Sequence, residues 1–368
     1  MTRPVFTSLA QALPATVPFV GPEAIERRSG RPFQARLGAN ESGFGPAPSV
    51  IATIREAAGS VWMYGDPENH DIRADVAAHL GVSPANVMIG EGVDGLLGLV
   101  ARLFLEPGDV VVSSLGAYPT FHFHVAGFGG RLVTVPYHDD RESLDALLEA
   151  ARREQPKLVY LANPDNPMGT WWSAAEIAAF ADALPESTML LLDEAYIETA
   201  PAGTAPALDI SRPNILRFRT FSKAYGLAGL RCGYAIGEAG MISAFDKVRN
   251  HFGVNRLAQV AARAALRDAE YLRATIARIS EARDNIATIA RANGLSPIPS
   301  ATNFVTIDCG GDGTFALDVL QGLARRDVFV RKPMASILDR CIRVSVGPAA
   351  ELAIFEEMLS QALAEARA

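Results

Sequence analysis

The sequence predicts an α/β fold in which a mainly parallel β-sheet lies between helices, with a smaller α+β domain beside it. Short apolar runs typical of buried strands alternate with helical stretches from Val87 onward, which is the pattern of such a sheet. After about Met241 the pattern changes to long helix followed by short strand runs. The 368 residues, 49% of them hydrophobic, are enough for two or three domains with large cores.

The strands of the main sheet are predicted in seven places. In chain order they are Asn86–Ile89, Val110–Val112, Leu132–Val135, Leu158–Leu161, Met189–Leu192, Ile215–Phe218 and Gly233–Ile236. Helical patterns fill the gaps, for example at Leu96–Phe104, Ser143–Arg153 and Ala174–Ala183. In sheets of this kind, ligands bind at the carboxyl ends of the strands. We therefore expect the functional site at that edge.

The smaller domain is predicted mainly from the C-terminal third. Gln259–Ala292 contains no Gly or Pro and should be mostly helical. Strand runs follow at Asn303–Ile307, Val328–Val330 and Ile342–Val346, and a closing helix is expected over Ala349–Ala366. We predict an N-terminal arm over residues 1–30, a large domain over 66–245, and a small domain built from 31–65 and 246–368 with a linker helix.

Charge and composition exclude several kinds of partner. The net charge of −7 and the pI near 5.5 argue against nucleic acid or an anionic membrane surface. No run approaches the about 18 apolar residues of a membrane span, and the N-terminal segment is too polar for a signal peptide, so we expect a cytoplasmic protein. The three cysteines are far apart, and His122 and His124 lack a third ligand nearby, so no metal is expected.

The most informative segment surrounds Lys223. A lysine that forms a Schiff base needs a partly desolvated amine, because only the neutral form is nucleophilic. Thr220, Ser222 and Arg231 supply hydroxyls and a guanidinium, which together suit a phosphate group. A lysine beside a phosphate site indicates pyridoxal phosphate as the cofactor. The ordinary alternative is an exposed lysine before a Gly-rich turn.

Two upstream segments place polar residues at strand ends. Asn166 lies in a turn with two prolines that follows the fourth predicted strand. Asp193 directly follows the fifth, where a carboxylate needs a cation such as a protonated pyridine nitrogen, and Tyr196 comes three residues later. Separately, Asn166 can be a turn residue and Asp193 a helix N-cap. Their order before Lys223 is harder to explain in that way.

Two further positions fit the same kind of site. The loop Gly90–Gly95 stands between a predicted strand and a predicted helix, and the N–H groups at a helix N-terminus bind phosphate. A plain turn would look the same. Arg343 lies inside an apolar strand, where its planar guanidinium needs a partner. An α-carboxylate would fit it in a bidentate manner, and an internal salt bridge is the alternative.

The combined segments resemble a known family. The chain is similar to fold-type I pyridoxal-phosphate enzymes of the class I/II aminotransferases, and within them to the histidinol-phosphate aminotransferase branch. The resemblance rests on NPDNPMG at 163–169, DEAY at 193–196 and SKAYGLAGLRCGY at 222–234, and it runs from about Pro18 to Glu356. It implies a seven-stranded large domain and ping-pong transfer of an amino group from an L-amino acid, histidinol-phosphate-like or aromatic, to a 2-oxo acid such as 2-oxoglutarate.

The resemblance also implies the cofactor contacts. Lys223 would hold the cofactor as a Schiff base and move the substrate's proton, and Asp193 would keep the ring nitrogen protonated. Tyr196 and Asn166 would bond the phenolic oxygen. The phosphate would contact three segments of the chain, at Gly92, Val93, Asp94, Thr220, Ser222 and Arg231. Tyr64 would reach the phosphate of the other subunit, which implies a homodimer with shared active sites.

Roles on the ring and on the substrate follow from the same resemblance. Phe121 is favoured as the side chain stacked on the cofactor, with Tyr118 as second choice. Asn40 and Arg343 would hold the substrate carboxylate, and Arg331 would contact the substrate's phosphate.

The chain departs from these relatives on the substrate side. Phe19 and Phe252 stand where the relatives usually have tyrosines, so two hydroxyls are missing. Arg331 is retained, and Arg256, where a serine is frequent, is a candidate replacement contact. We therefore expect a preference relaxed towards aromatic or other non-phosphorylated amino acids.

Other reactions use the same motifs. Decarboxylases that act on phosphothreonine and racemases share the scaffold, so both remain alternatives. A cofactor-binding regulatory module would carry a DNA-binding domain, for which this chain has no basic segment. Pyridoxamine phosphate and an oxo acid as products would indicate the aminotransferase. Carbon dioxide would indicate the decarboxylase, and loss of optical activity the racemase.

Overall fold

A computed structural model describes residues 5–14 and 20–368. Its helices, in chain order, are α1 (Ser8–Ala12), α2 (Pro22–Ser29), α3 (Pro48–Ala57), α4 (His70–Leu80), α5 (Gly92–Phe104), α6 (Pro119–Gly127), α7 (Leu144–Glu154), α8 (Ala174–Ala183), α9 (Ala239–Ala244), α10 (Arg256–Arg267), α11 (Ala269–Ala292), α12 (Gly313–Arg325) and α13 (Ala349–Ala366). Its strands are β1 (Ala35–Arg36), β2 (Val87–Gly90), β3 (Val110–Ser114), β4 (Arg131–Val135), β5 (Leu158–Ala162), β6 (Met189–Asp193), β7 (Ile215–Thr220), β8 (Gly233–Ile236), β9 (Ser296–Pro297), β10 (Phe304–Asp308), β11 (Val328–Phe329) and β12 (Cys341–Ser345).

The central sheet contains seven strands in the order β2-β8-β7-β6-β5-β3-β4. Every neighbouring pair from β7 to β4 is parallel, whereas β8 runs antiparallel to both of its neighbours. Each of the seven predicted strands is present, and the predicted mainly parallel sheet is confirmed.

The burial of the central strands explains why their sequences are almost entirely apolar. All five residues of β5 and all five of β6 are buried. Leu158 and Tyr160 pack on one face with residues of α5, while Val159 and Leu161 pack on the other face with residues of α7 and α8. Helices therefore cover both faces, as parallel sheets require, and the functional edge is the one where the strands end.

A second, smaller α+β region is built around another core. Strands β9, β10 and β12 form an antiparallel sheet, and β1 pairs in parallel with β11. Their buried residues pack against α11, α12 and α13. The predicted helical stretch Gln259–Ala292 is divided at Asp268, whose Oδ1 accepts a hydrogen bond from the Tyr271 N–H at 3.1 Å and so caps α11.

The packing suggests domain limits that differ from the predicted ones. Val50 on α3 and Ala258 on α10 lie in one core cluster with Val87 and Tyr234 of the central sheet. The sequence had assigned both helices to the small domain. We propose that they belong to the large domain, and the other predicted boundaries stay predictions. None of the helices in the described residues combines the length and apolar character that crossing a membrane requires.

Candidate active site

Three predicted residues meet at the carboxyl edge of the central sheet. Asp193 ends β6, Asn166 lies in the turn after β5, and Lys223 follows β7. These three strands are parallel neighbours, so their ends lie side by side. The edge is where ligands bind in doubly wound sheets.

Lys223 has the environment that a nucleophilic amine needs. Its Nζ donates a hydrogen bond to the Asn40 carbonyl oxygen at 3.1 Å and lies 5.4 Å from the centre of the Tyr196 ring. Burial, followed by the positive charges of Arg343 and Arg231, lowers the pKa of Lys223 to about 8. A substantial fraction of the amine is therefore neutral near physiological pH, unlike that of an ordinary exposed lysine.

Asp193 is a buried carboxylate held by two donors. Its Oδ2 accepts a hydrogen bond from the Tyr160 hydroxyl at 2.7 Å, and its Oδ1 accepts one from the Ala195 N–H at 3.0 Å. Burial raises the pKa of Asp193 to about 6, although both hydrogen bonds and the charge of Lys223 oppose that rise. The helix N-cap alternative is not observed, because the short helical turn after Asp193 begins beyond Tyr196.

Tyr160 was missed in the sequence. Its hydroxyl sits among apolar residues of β5, and β5 was interpreted only as a buried strand. The available signal was periodicity, since residues 158, 160 and 162 share a face of the sheet with 189, 191 and 193 of the adjacent strand. A hydroxyl on that face, one strand away from a strand-end carboxylate, is placed to bond it.

Arg343 and Asn166 form one wall of the site. Nη1 of Arg343 donates a hydrogen bond to Oδ1 of Asn166. Within the described residues, the buried Nε of Arg343 has no hydrogen-bond partner and Arg343 makes no salt bridge. Burial lowers the pKa of Arg343 to about 10. The internal salt bridge alternative is therefore not observed, and the guanidinium has no carboxylate partner among the described residues.

Asn40 joins the two sides of the site. It has a left-handed backbone, with φ 54°, and its N–H donates to the Ser345 hydroxyl at 2.9 Å. Its Nδ2 donates to the Tyr196 hydroxyl at 3.0 Å. Ser345 was missed in the sequence, where it appeared only as one residue of a strand. Asn40, Tyr196 and Lys223 are thus brought together as predicted.

The predicted phosphate-binding residues converge at the start of α5. The helix begins at Gly92, so the N–H groups of Val93 and Asp94 belong to its first turn. The guanidinium of Arg231 lies against Gly92 and its Nη1 is 3.5 Å from the Ser222 hydroxyl.

Hydroxyl groups complete this phosphate cup, the name used here for the surface formed by the start of α5, Arg231, Thr220 and Ser222. The Thr220 hydroxyl donates to that of Ser222 at 2.9 Å. A helix N-terminus, two hydroxyls and a guanidinium in one place fit a phosphate dianion.

The structure does not support Phe121 as the ring stacked on the cofactor. Phe121 is 0% exposed and stacks on Tyr160 in the core, with ring centres 4.8 Å apart. Tyr118 instead precedes α6 and is partly exposed. Burial raises the pKa of Tyr118 to about 12, and the charges of Asp94 and Asp193 contribute to that rise. The ring of Tyr118, the second choice, is therefore close enough to Asp94 and Asp193 to feel their charges, and its stacking on the cofactor stays a prediction.

The remaining predicted residues lie at the margin. The backbone of Arg331 pairs with that of Arg343, and its Nη2 donates to the Val20 carbonyl at 2.9 Å. Arg256, the candidate replacement contact, donates to the Tyr64 carbonyl at 2.8 Å. Tyr64 is 77% exposed. Phe19 lies outside the described residues, so its role stays a prediction.

The two histidines near the site have other partners. Nε2 of His122 lies 3.0 Å from the Ser113 hydroxyl, and Nε2 of His124 lies 3.0 Å from Oδ1 of Asp94. Over residues 5–14 and 20–368, no cluster of three or more His, Cys, Asp or Glu is arranged to hold a metal ion.

These residues fit pyridoxal phosphate on the geometry alone. The cup at Gly92 and Arg231 suits the phosphate, the buried carboxylate of Asp193 suits a protonated ring nitrogen, and the amine of Lys223 suits the aldehyde. Together with the seven-stranded sheet, they define a fold-type I enzyme of the pyridoxal-phosphate class.

Comparisons with known proteins identify the family. Residues 34–359 match the family model for aminotransferase class I and II, and the chain belongs to that family. A histidinol-phosphate aminotransferase from Anaeromyxobacter sp. is 37% identical over 332 residues, which cover 88% of this chain and 90% of that protein. The crystal structure of histidinol-phosphate aminotransferase from Sinorhizobium meliloti in complex with pyridoxal-5'-phosphate superposes with a TM-score of 0.96, at 56% identity and 98% coverage of both chains.

Family membership confirms the predicted class of enzyme, a pyridoxal-phosphate-dependent aminotransferase. It does not favour the decarboxylase or racemase alternatives. A mutant aspartate aminotransferase from Thermus thermophilus, at 21% identity and a TM-score of 0.79, covers 98% of this chain and 99% of that chain and shares the fold.

Proposed function

We propose that this aminotransferase takes the amino group from a substrate whose amine-bearing carbon also carries an anionic arm, either a carboxylate or a phosphate ester, and passes it to a 2-oxo acid such as 2-oxoglutarate. The observation that carries the proposal is that the guanidinium of Arg343 makes no salt bridge to a carboxylate among the described residues, while its Nη1 holds Asn166 at the strand ends. Arg343 is also the charge with the largest effect on Lys223, so it stands close to the reacting amine.

The residues of the site have distinct tasks. When bound, the cofactor supplies an electron sink for the electrons left on the substrate carbon after its proton is removed. Asp193 is placed to keep the ring nitrogen protonated, because a buried carboxylate is most stable beside a cation. Arg343 and Asn40 would orient the substrate, and Tyr118 would pack against the cofactor ring.

Lys223 is the base in this proposal. A general base works best when its pKa lies near the working pH, and the Lys223 pKa of about 8 meets that condition. Its Nζ is held by the Asn40 carbonyl, and Asn40 also bonds the Tyr196 hydroxyl. The protein itself therefore provides an acceptor for the freed amine and holds the side chains around it, which reduces the reorganisation needed during proton transfer.

The proposed amino donors are histidinol phosphate and aromatic amino acids. The named relatives support histidinol phosphate as a donor. Arg331, whose backbone pairs with that of Arg343, supports a second arginine contact with the substrate's anionic group. The absence of hydroxyls at Phe19 and Phe252 supports a relaxed preference, because a hydrogen bond to a charged group contributes about 1.5–3 kcal/mol. Arg256 uses one amino group, Nη2, on the Tyr64 carbonyl, so it stays a candidate for the replacement contact through its other nitrogens.

The test is a comparison of kcat/KM for histidinol phosphate, phenylalanine, histidine and glutamate with the purified, cofactor-loaded protein. Formation of pyridoxamine phosphate and the corresponding oxo product without an added acceptor supports the reaction. Comparable values for histidinol phosphate and phenylalanine support the relaxed preference. A preference for histidinol phosphate of roughly a thousandfold or more, about 4 kcal/mol in the transition state, would overturn it.

The proposed assembly is a homodimer in which Tyr64 completes the partner's phosphate site. Its support is the exposure of Tyr64 at 77% within an exposed apolar segment that also includes Val61, Trp62 and Met63. A cytoplasmic location stays a prediction from the sequence.

Subunit mixing tests the assembly. If the sites are shared, a heterodimer of Tyr64→Phe and Lys223→Ala subunits contains one site with neither change, so mixing the two variants should restore activity. A fully active monomer would contradict the proposal.

A further inference from the structure

The backbone around Tyr64 is held although its side chain is exposed. The ring of Tyr64 is 77% exposed, and its one aromatic neighbour within the described residues is Phe252, at 4.7 Å between ring centres. Gly65 follows directly, and a glycine leaves the chain freer than any other residue. A side chain in this position needs support from elsewhere if it is to point in one direction.

The side-chain amide of Gln259 supplies that support. Its Oε1 accepts a hydrogen bond from the Asp66 N–H at 3.1 Å. Its Nε2 lies within hydrogen-bond distance of the Asp66 carbonyl at 3.0 Å, of Oδ1 of Asn69 at 2.9 Å and of the Val254 carbonyl at 3.0 Å. One amide thus engages both polar backbone atoms of Asp66, which fixes the chain two residues after Tyr64.

Gly65 is the residue that lets Gln259 come so close. A Cβ atom at position 65 would stand 2.6 Å from Nε2 of Gln259 and 2.9 Å from the Val254 carbonyl oxygen. The amide therefore occupies the space that a side chain at position 65 would need.

The same helix holds the other side of Tyr64. Arg256 lies three residues before Gln259 in the first turn of α10, so the two side chains lie on neighbouring positions of one helix face. Nη2 of Arg256 donates to the Tyr64 carbonyl at 2.8 Å. Side chains of the first turn of α10 therefore hydrogen-bond to the backbone at both Tyr64 and Asp66.

We propose that Gln259 is a positioning residue for Tyr64: its amide orders the Tyr64–Asp66 backbone so that the exposed hydroxyl is presented in one place to the phosphate of the partner subunit's cofactor. This inference rests on the proposed function, in which Tyr64 acts in the partner's site. Gln259 would have this effect indirectly, through its contacts with the backbone of the same chain, and would not contact the cofactor.

The experiment measures the dissociation constant for pyridoxal phosphate, from the fluorescence of the dimeric protein, for four variants. They are Gln259→Met, which keeps the length of the side chain and removes its hydrogen bonds, Tyr64→Phe, the double variant, and Arg263→Met. Arg263 is the matched control because it joins α10 to Asp71 and Asp75 of α4, one turn further along the same helix, without reaching Tyr64–Asp66. Melting temperatures are recorded for all four.

Gln259→Met is expected to weaken cofactor binding about tenfold, the effect of losing most of one hydrogen bond to a charged group. Gln259→Met should have no further effect in the Tyr64→Phe background, because the hydroxyl that Gln259 would position is already absent there. Arg263→Met should lower the melting temperature without changing the dissociation constant.

Three results would overturn the inference. Equal weakening by Gln259→Met in both backgrounds would show a structural effect independent of Tyr64. No weakening by Gln259→Met while Tyr64→Phe weakens binding would reject Gln259 alone and leave the shared site intact. No weakening by Tyr64→Phe would reject the shared site and with it the role of Gln259.

Discussion

A Cβ atom on Gly92 would stand 2.6 Å from Nη2 of Arg231. Gly92 begins α5 with φ +75°, and Arg231 also has a left-handed backbone, with φ 57°. The first turn of the helix and the guanidinium are therefore one surface, made by two segments that are distant in the sequence. A side chain at position 92 would require a strained left-handed backbone and a shift of the Arg231 guanidinium away from this surface.

Gly92→Ala is expected to weaken pyridoxal phosphate binding by at least about tenfold. The left-handed backbone costs an L-residue roughly 1–2 kcal/mol, and the methyl group would also displace Arg231. The measurement is the dissociation constant of the cofactor. Gly229→Ala is the matched control, since Gly229 lies in the same motif as Arg231 but an added Cβ meets nothing within 4 Å. Unchanged affinity of Gly92→Ala would contradict the phosphate site.

Covalent attachment of the cofactor to the cofactor-free protein should become faster as the pH rises, and the midpoint of the rate's pH dependence should lie at about 8. The reason is that the neutral Lys223 amine is the reactive form, and burial, Arg343 and Arg231 lower its pKa to about 8. Of the two arginines, Arg343 has the larger effect on Lys223. Arg343→Leu removes that charge, so the pKa of Lys223 and the midpoint should both move upward. Stopped-flow absorbance measures the rate, with exposed Arg273→Leu as control. A midpoint that moves downward, or equally in both variants, would contradict this account.

Local pattern was sufficient to predict the strands and the polar residues at their ends. Asn166, Asp193 and Lys223 each follow or end an apolar run, and such runs identify themselves within a few residues. The contacts between them depend on which strands become neighbours. The Tyr160 hydroxyl reaches Asp193 only because β5 and β6 pair, and Ser345 reaches Asn40 across 305 residues of sequence.

The assignment of the stacked ring failed for a similar reason. Phe121 and Tyr118 are three residues apart, and the start of α6 at Pro119 decides which of them turns into the core. Pro119 marks where that helix begins, but nothing in residues 118–124 shows which side of the helix faces the site. Phe121 was therefore assigned to the cofactor and is found against Tyr160.

Tyr160→Phe is expected to raise the pKa of Asp193. The Tyr160 hydroxyl donates to Oδ2 of Asp193 at 2.7 Å, which favours the ionised carboxylate and opposes the effect of burial. In the variant, the acidic limb of the kcat/KM profile should therefore move to higher pH, with a loss on the order of tenfold at pH 6. Tyr271→Phe, which removes a hydroxyl bonded to backbone carbonyls away from the site, is the control. An unshifted acidic limb would show that Tyr160 does not tune Asp193.

Glu142 and Asp165 form a buried pair of carboxyl groups behind the Asn166 turn. Glu142 accepts hydrogen bonds from the Ser114 hydroxyl at 2.6 Å and from the Ala162 N–H at 3.0 Å. Asp165 accepts from the Tyr137 hydroxyl at 2.9 Å and from the Met168 N–H at 3.0 Å. Burial and the charge of Asp165 raise the pKa of Glu142 well above its ordinary value, and burial raises that of Asp165 to about 7. Both raised pKa values favour a protonated carboxyl group in this pair, and the larger rise is at Glu142.

Glu142→Gln should make the stability of the protein less sensitive to alkaline pH. In the wild type, the unfolded chain has released the Glu142 proton above pH 4.5 while the folded protein retains it, so the free energy of unfolding falls as the pH rises from about 5 through the folded-state pKa. The loss is at most about 1.4 kcal/mol for each pH unit. Glutamine keeps a donor for Asp165 and cannot ionise, so the variant should lose less stability. Urea unfolding of both proteins at pH 6 and pH 9 measures the difference, with Glu281→Gln on the exposed face of α11 as a control for removing a charge. If the free energy of unfolding falls equally for Glu142→Gln and the wild type between those pH values, Glu142 does not retain a proton in the folded protein.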